Sequence, residues 1–75
     1  MTKLHSESTV DAAIRKSGTY VGEYRDMIFY IEDDYDSPYK YVAWVRGYDH
    51  TEHIDSRVDA VVGCITDFID HILDR

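Results

Sequence analysis

The chain has one cysteine, one proline and four glycines, and no two glycines are adjacent. A lone Cys64 cannot close an internal disulfide, which excludes a secreted disulfide framework. Isolated glycines cannot build a loop that cradles phosphate. Long apolar runs are missing as well. No N-terminal stretch reads as a signal peptide, and no segment approaches the ~20 apolar residues that cross a bilayer. The expected compartment is the cytoplasm, with no membrane partner. Cations are outnumbered, with eight Lys and Arg against fifteen Asp and Glu, a formal charge of −7. Direct binding of nucleic acid needs clustered Lys and Arg, so it is not expected. That charge gives solubility, and any protein partner it attracts is basic.

What remains is enough for a core. Of 75 residues, 44% are hydrophobic and seven are tyrosines. This composition is not that of a disordered chain. The length allows one domain, residues 1–75, with residues 1–7 expected to be loose. So short a chain is marginal alone and is often stapled by a metal, a disulfide or a partner subunit.

The expected fold class is α+β: a short N-terminal helix, an antiparallel meander of three or four strands, and a long amphipathic C-terminal helix packed on one sheet face. Ser8 with Asp11 reads as a capping box, Val10, Ala13 and Ile14 fall at helical spacing, and Ser17-Gly18 is a stop, giving a helix near residues 9–16. From Thr19 the period changes to two. Residues 19–24 and 27–32 are rich in aromatic and β-branched types. With Arg25-Asp26 between them, they read either as a tight hairpin or as one long strand bent near Gly22. Residues 39–48 form the next strand, with Pro38 just before it, and residues 51–54 suit a short fourth. Ser56 reads as the N-cap of a helix of about 18 residues, in which Val58, Val61, Val62, Ile65, Phe68, Ile69, Ile72 and Leu73 follow the i, i+3, i+4, i+7 pattern.

Two features break local rules. Asp59, Asp67, Asp70 and Asp74 fall within about 80° on the wheel of that last helix, opposite its apolar arc. They make a stripe about 22 Å long. Asp70 and Asp74 also sit at the negative end of the helix dipole, where acids are unfavourable. Either a neighbouring strand, Arg57 or Arg75 neutralises the stripe, or a partner does. The second feature is the sheet. Met27, Phe29 and Ile31 alternate with Ile28 and Tyr30, and Tyr41, Ala43 and Val45 alternate with Val42 and Trp44, so both faces are apolar or aromatic. One long helix covers one face. The other is expected to be covered by the short first helix or, failing that, by another chain.

No catalytic constellation stands out. His50, Glu52 and His53 do not match a zinc helix, and residues 33–36 lack the glycine and the twelfth-position glutamate of a calcium loop, so no metal and no cofactor are expected. Cys64 reads as a buried spectator near the apolar boundary of its helix. The expected function is therefore that of a small acidic, non-catalytic protein-binding module. Its first form is an inhibitor or decoy that blocks the basic nucleic-acid groove of a partner, such as a nucleic-acid-handling enzyme or complex. In size and charge, though in no motif, the chain is similar to phage anti-restriction and anti-CRISPR proteins and to nuclease-immunity proteins. The residues expected at such an interface are Asp33, Asp34, Tyr35, Asp36, Tyr39, Trp44, Asp59, Asp67, Asp70 and Asp74. This form needs the acids near residues 32–36 and those of the last helix to share one face. The alternative is a homodimeric regulatory or scaffold module that pairs through the second apolar sheet face.

Overall fold

The computed structural model describes residues 6–34 and 40–75. In chain order the elements are α1 (Glu7–Ser17), β1 (Tyr20–Tyr24), β2 (Met27–Asp33), β3 (Tyr41–Val45), β4 (His53–Asp55) and α2 (Val58–Asp74). The strands form one antiparallel meander in the order β1-β2-β3-β4, and α2 packs against β3 and β4. The α+β architecture is as expected. No helix among the described residues is long and apolar enough to cross a membrane.

The helix starts differ from the expected ones. Ser6, not Ser8, caps α1: its Oγ accepts from the Thr9 amide at 3.2 Å and donates to Thr9 Oγ1 at 2.7 Å. An extended Ser with a hydroxyl partner three residues on satisfies an otherwise orphaned amide, so the helix gains a turn and takes in Glu7. Ser6 is thus the cap and Glu7 the first residue of the helix. Gly18 ends α1 as expected, with φ 87° and its N–H donating to the Ile14 carbonyl at 2.7 Å. At α2 the N-cap is Arg57, not Ser56, and its side chain makes no cap bond. Asp55 Oδ1 accepts from the amides of Ser56 and Arg57, just before the helix, at 2.7 and 3.3 Å.

Residues 19–32 form a hairpin and not a bent strand. Tyr24 pairs with Met27 across a two-residue turn. Both turn residues have positive φ, Arg25 at 52° and Asp26 at 68°, as a type I′ turn requires. Such a turn matches the strand twist but favours Asn and Gly, and a residue with a Cβ in this region costs about 1–2 kcal/mol. Gly22 is used differently. It lies opposite Phe29 in the ladder and is buried beneath that ring. A Cβ there would meet Phe29 Cζ far inside van der Waals contact, with Cε1 at 2.8 Å.

The core lies on one side of the sheet. It joins Phe29, Ile31, Tyr41, Ala43 and Val45 from the strands to Val58, Val61, Val62, Ile65 and Ile69 from α2. Full burial of five such helix side chains contributes on the order of 10 kcal/mol before chain entropy is set against it. Val10 and Ile14 of α1 enter this same core. Tyr41, fully buried, donates its hydroxyl to Asp11 Oδ1 at 2.7 Å and so ties α1 to β3. Both helices therefore share one face. The expectation that α1 covers the second face is overturned: the Val10–Ile14 edge of a three-turn helix is complementary to the gap beside α2 and leaves nothing to reach across the sheet.

Candidate functional site

Alternation along the strands decides which side chains face away from the helices. Three cross-strand rows do so. Val21, Tyr30 and Trp44 align in the middle row, and Glu32, Val42 and Ile54 in the row toward the end of β2. Glu23 and Ile28 make the third row, which Arg46 extends as its amide continues the ladder to the Ile28 carbonyl at 2.8 Å. None of the six apolar residues in these rows belongs to the buried core. Val21 is 58% exposed and Ile54 44% exposed, so solvent reaches both flanks of the sheet. Ile28, Tyr30, Val42 and Trp44 are half-buried.

The centre of this face is organised. The Tyr30 and Trp44 rings lie 5.6 Å apart, tilted by 37°. Arg46 leans over Tyr30, its Cζ 5.8 Å from the ring centroid, and its Nε donates to the Tyr30 hydroxyl oxygen at 2.8 Å. A guanidinium over an aromatic face is attracted by the ring quadrupole. At the far row Thr19 Oγ1 donates to Glu32 at 2.6 Å. The two aromatics are thus held in place by contacts within the fold. Large apolar patches rimmed by polar groups mark interaction surfaces, and Trp and Tyr are their usual anchors.

The acids expected to form an interface do not converge. Asp70 and Asp74 are held by the hairpin turn: Arg25 Nη1 donates to Asp70 Oδ1 at 2.8 Å and Nη2 to Asp74 Oδ1 at 3.1 Å. Tyr24 also donates its hydroxyl to Asp70 at 3.0 Å. These bonds raise the pKa of Arg25, whose hydrogen bond in turn holds the Asp74 carboxyl below the ordinary value of 3.8. The bond to Asp70, more than burial, raises the pKa of the Tyr24 hydroxyl. Asp59 pairs with Arg57 at 2.7 Å, and Asp67 is exposed on the outer side of α2. A turn and an arginine beside the helix therefore compensate three of the four stripe residues.

Asp33 and Asp34 lie elsewhere. Asp33 pairs with Tyr41 at the end of the sheet where α2 begins, whereas Arg25 draws the end of α2 to the β1–β2 turn. Six residues of β2 separate the two ends, about 20 Å. Asp33 faces α1, where it lines an open groove of about 340 Å³ with Asp11, Ile14, Arg15 and Lys40. That groove mixes both signs of charge. Trp44 is on the opposite side of the sheet from Asp33 and from the α2 acids. Tyr35, Asp36 and Tyr39 lie outside the described residues.

No protein-family model, curated protein or solved structure matches the chain. The residues themselves carry the functional argument.

Sequence reasoning placed Ile28, Tyr30, Val42 and Trp44 on this face and missed Val21, Ile54 and Arg46. The β1–β2 register, once chosen as a hairpin, would have placed Val21 beside Tyr30. Arg25 was missed as the clamp on Asp70 and Asp74, because nothing local links positions 45 residues apart. Cys64 is exposed, not a buried spectator. Ile65 points into the core, and the 100° step back to Cys64 turns it to the helix flank. His53 is half-buried. It packs on Phe68 with centroids 5.2 Å apart, burial lowers its pKa from 6.5, and its Nε2 is buried with no hydrogen-bond partner among the described residues. Among those residues no group of three His, Cys, Asp or Glu is arranged to hold a metal.

Proposed function

We propose that this protein is a small acidic, non-catalytic protein-binding module of the cytoplasm whose docking surface is the open sheet face centred on Tyr30 and Trp44. The observation that carries this reading is that both helices pack on one side of a sheet that is apolar on both. A chain of 75 residues has little stability to spare, and six apolar side chains on a face that none of the described elements covers forgo burial that a partner can restore. The surrounding charge keeps such a patch soluble while free.

The inhibitor or decoy that blocks a basic groove is the second reading, and the net charge of −7 favours it. Its weakness is geometric. Duplex DNA carries a charge every ~1.7 Å of axis, whereas the α2 stripe is sparse and mostly matched by Arg25 and Arg57. The test separates the two. Immobilised protein is challenged with cell lysate at low salt, beside a Tyr30→Ser/Trp44→Ser variant and an Asp67→Asn/Asp70→Asn/Asp74→Asn variant, with far-UV circular dichroism to show that each is folded. Partners that survive the aspartate changes and are lost with the aromatic pair support docking through the sheet face. Partners lost with the aspartates but kept by the aromatic variant refute it in favour of the decoy.

A further inference from the structure

We infer that a partner protein is held through an extended segment that joins the outer edge of β1 as a fifth, antiparallel strand, with a cationic residue opposite Glu23 and an apolar residue opposite Val21. This rests on the reading of the open sheet face as a docking surface, because such a strand continues two rows of that face. The backbone directions of β1 carry the inference. Arg46 donates its amide to the Ile28 carbonyl, so the backbone groups of Ile28 point toward β3. Glu23 is opposite Ile28 in an antiparallel pair, and two residues so paired point their groups either at one another or away from one another. The N–H and C=O of Glu23 therefore point away from β2, and those of Val21, two residues back, do the same. β1 is the end strand, and among the described residues no backbone hydrogen bond reaches these groups from outside the ladder. Two N–H and two C=O groups thus stand in line for another strand, which is the requirement of strand addition.

Sheet edges are ordinarily blunted by short strands, bulges, proline or lysine. The other edge conforms, since β4 has three residues. β1 has five, pairs with β2 without interruption from Tyr20 to Tyr24, and contains neither proline nor lysine. Its one charge is Glu23, which is exposed and in no ion pair among the described residues. A carboxylate at an open edge favours a strand with a cation opposite it and repels an acidic one. Val21, 58% exposed, shares the face of Glu23, so an apolar side chain set beside it lengthens the Val21–Tyr30–Trp44 row. In an antiparallel strand the cation comes two residues before the apolar residue. The segment that fits is therefore Lys or Arg, any residue, then a β-branched or aromatic residue.

A blocked peptide of sequence TTKTVTT, titrated to about 5 mM into isotope-labelled protein, is the probe, read by amide shifts and amide exchange. In the free protein the Val21 and Glu23 amides exchange faster than those of Gly22 and Tyr24, which face β2. With peptide, Val21 and Glu23 are expected to show the largest amide shifts and to slow at least about fivefold. Replacing the peptide's lysine by glutamate weakens binding at least about threefold, and Glu23→Lys reverses that preference. Val21→Pro removes one outward N–H and puts a ring in the path of the added strand without taking a bond from β2, so binding is lost. Far-UV circular dichroism shows whether that variant is folded, and the charge exchange decides the matter without it. The inference is overturned by a titration that leaves Val21 and Glu23 unmoved, by equal affinity for the two peptides, or by binding that survives Val21→Pro. Protection of the two amides that grows with protein concentration, without peptide, gives the edge to a second copy and overturns the cationic occupant. Lysate partners lost with Tyr30→Ser/Trp44→Ser but kept by Val21→Pro refute strand addition and leave the docking role of the face standing.

Discussion

Gly22→Ala separates two physical expectations by sign. Glycine inside a strand is entropically unfavourable, and its replacement by alanine ordinarily gains about 0.5–1 kcal/mol. Here the new methyl has no room. It would overlap Phe29 Cζ and lie 2.8 and 3.0 Å from Cε1 and Cε2. Phe29 has no exposed surface and packs among Ile31, Val45 and the α2 side chains, so the ring cannot swing aside without displacing a close-packed core. Overpacking of this kind costs about 1–3 kcal/mol and occasionally more, which exceeds the backbone gain. The net expectation is a loss of about 2 kcal/mol, from a total that is about 4–11 kcal/mol for a domain of this length. The melting temperature falls by roughly 8–16 °C. Urea unfolding followed by far-UV circular dichroism measures it, with the slope unchanged. Phe29→Leu removes the atoms that clash. In that background Gly22→Ala is expected to cost at least about 1 kcal/mol less than in the parent chain. A neutral or stabilising Gly22→Ala in the parent would refute the placement of the ring over the glycine.

Asp26→Gly relieves a left-handed turn residue and is expected to raise the urea midpoint, by about 0.5–1 kcal/mol of stability after the glycine entropy is set against it; a lowered midpoint would mean that the turn is not type I′. Arg25→Ala releases both Asp70 and Asp74, so amide exchange over the last turn of α2 should accelerate, and the difference from the parent should shrink as salt rises. His53 is favoured neutral in the fold, so its contribution is whole above its unfolded pKa of 6.5 and declines as pH falls through the interval beneath it. His53→Gln should flatten that part of a stability-against-pH curve and leave a separate loss below pH 3.8, where the depressed Asp74 carboxyl takes up its proton and the Arg25 pair is broken.

Local structure was largely legible in the chain. The change of period from 3.6 to two after Gly18 and back at Val58 marks where helix and strand begin, since backbone geometry alone sets which side chains share a face. The alternation of Ile28 and Tyr30 with Phe29 and Ile31, and of Val42 and Trp44 with Ala43 and Val45, already implied a sheet apolar on both sides. The caps were misplaced, Ser8 being read for Ser6 and Ser56 for Arg57, because a serine suits either position and only the surrounding backbone chooses.

The candidate site was half legible for a different reason. Tyr30 and Trp44 belong to adjacent strands and follow from alternation. The fate of Asp70 and Asp74 depends on Arg25, 45 and 49 residues away, and no periodicity connects them. The side of the sheet on which α1 rests depends on whether Val10 and Ile14 fit the space beside α2, which is a question of shape. By itself the sequence determined the elements, their apolar faces and the overall acidity, because these are properties of neighbours along the chain. Only the tertiary structure decided that both helices lie together, that most of the acidic stripe is matched from within, and that none of the described elements covers the aromatic face, because each depends on which distant surfaces pack best against one another.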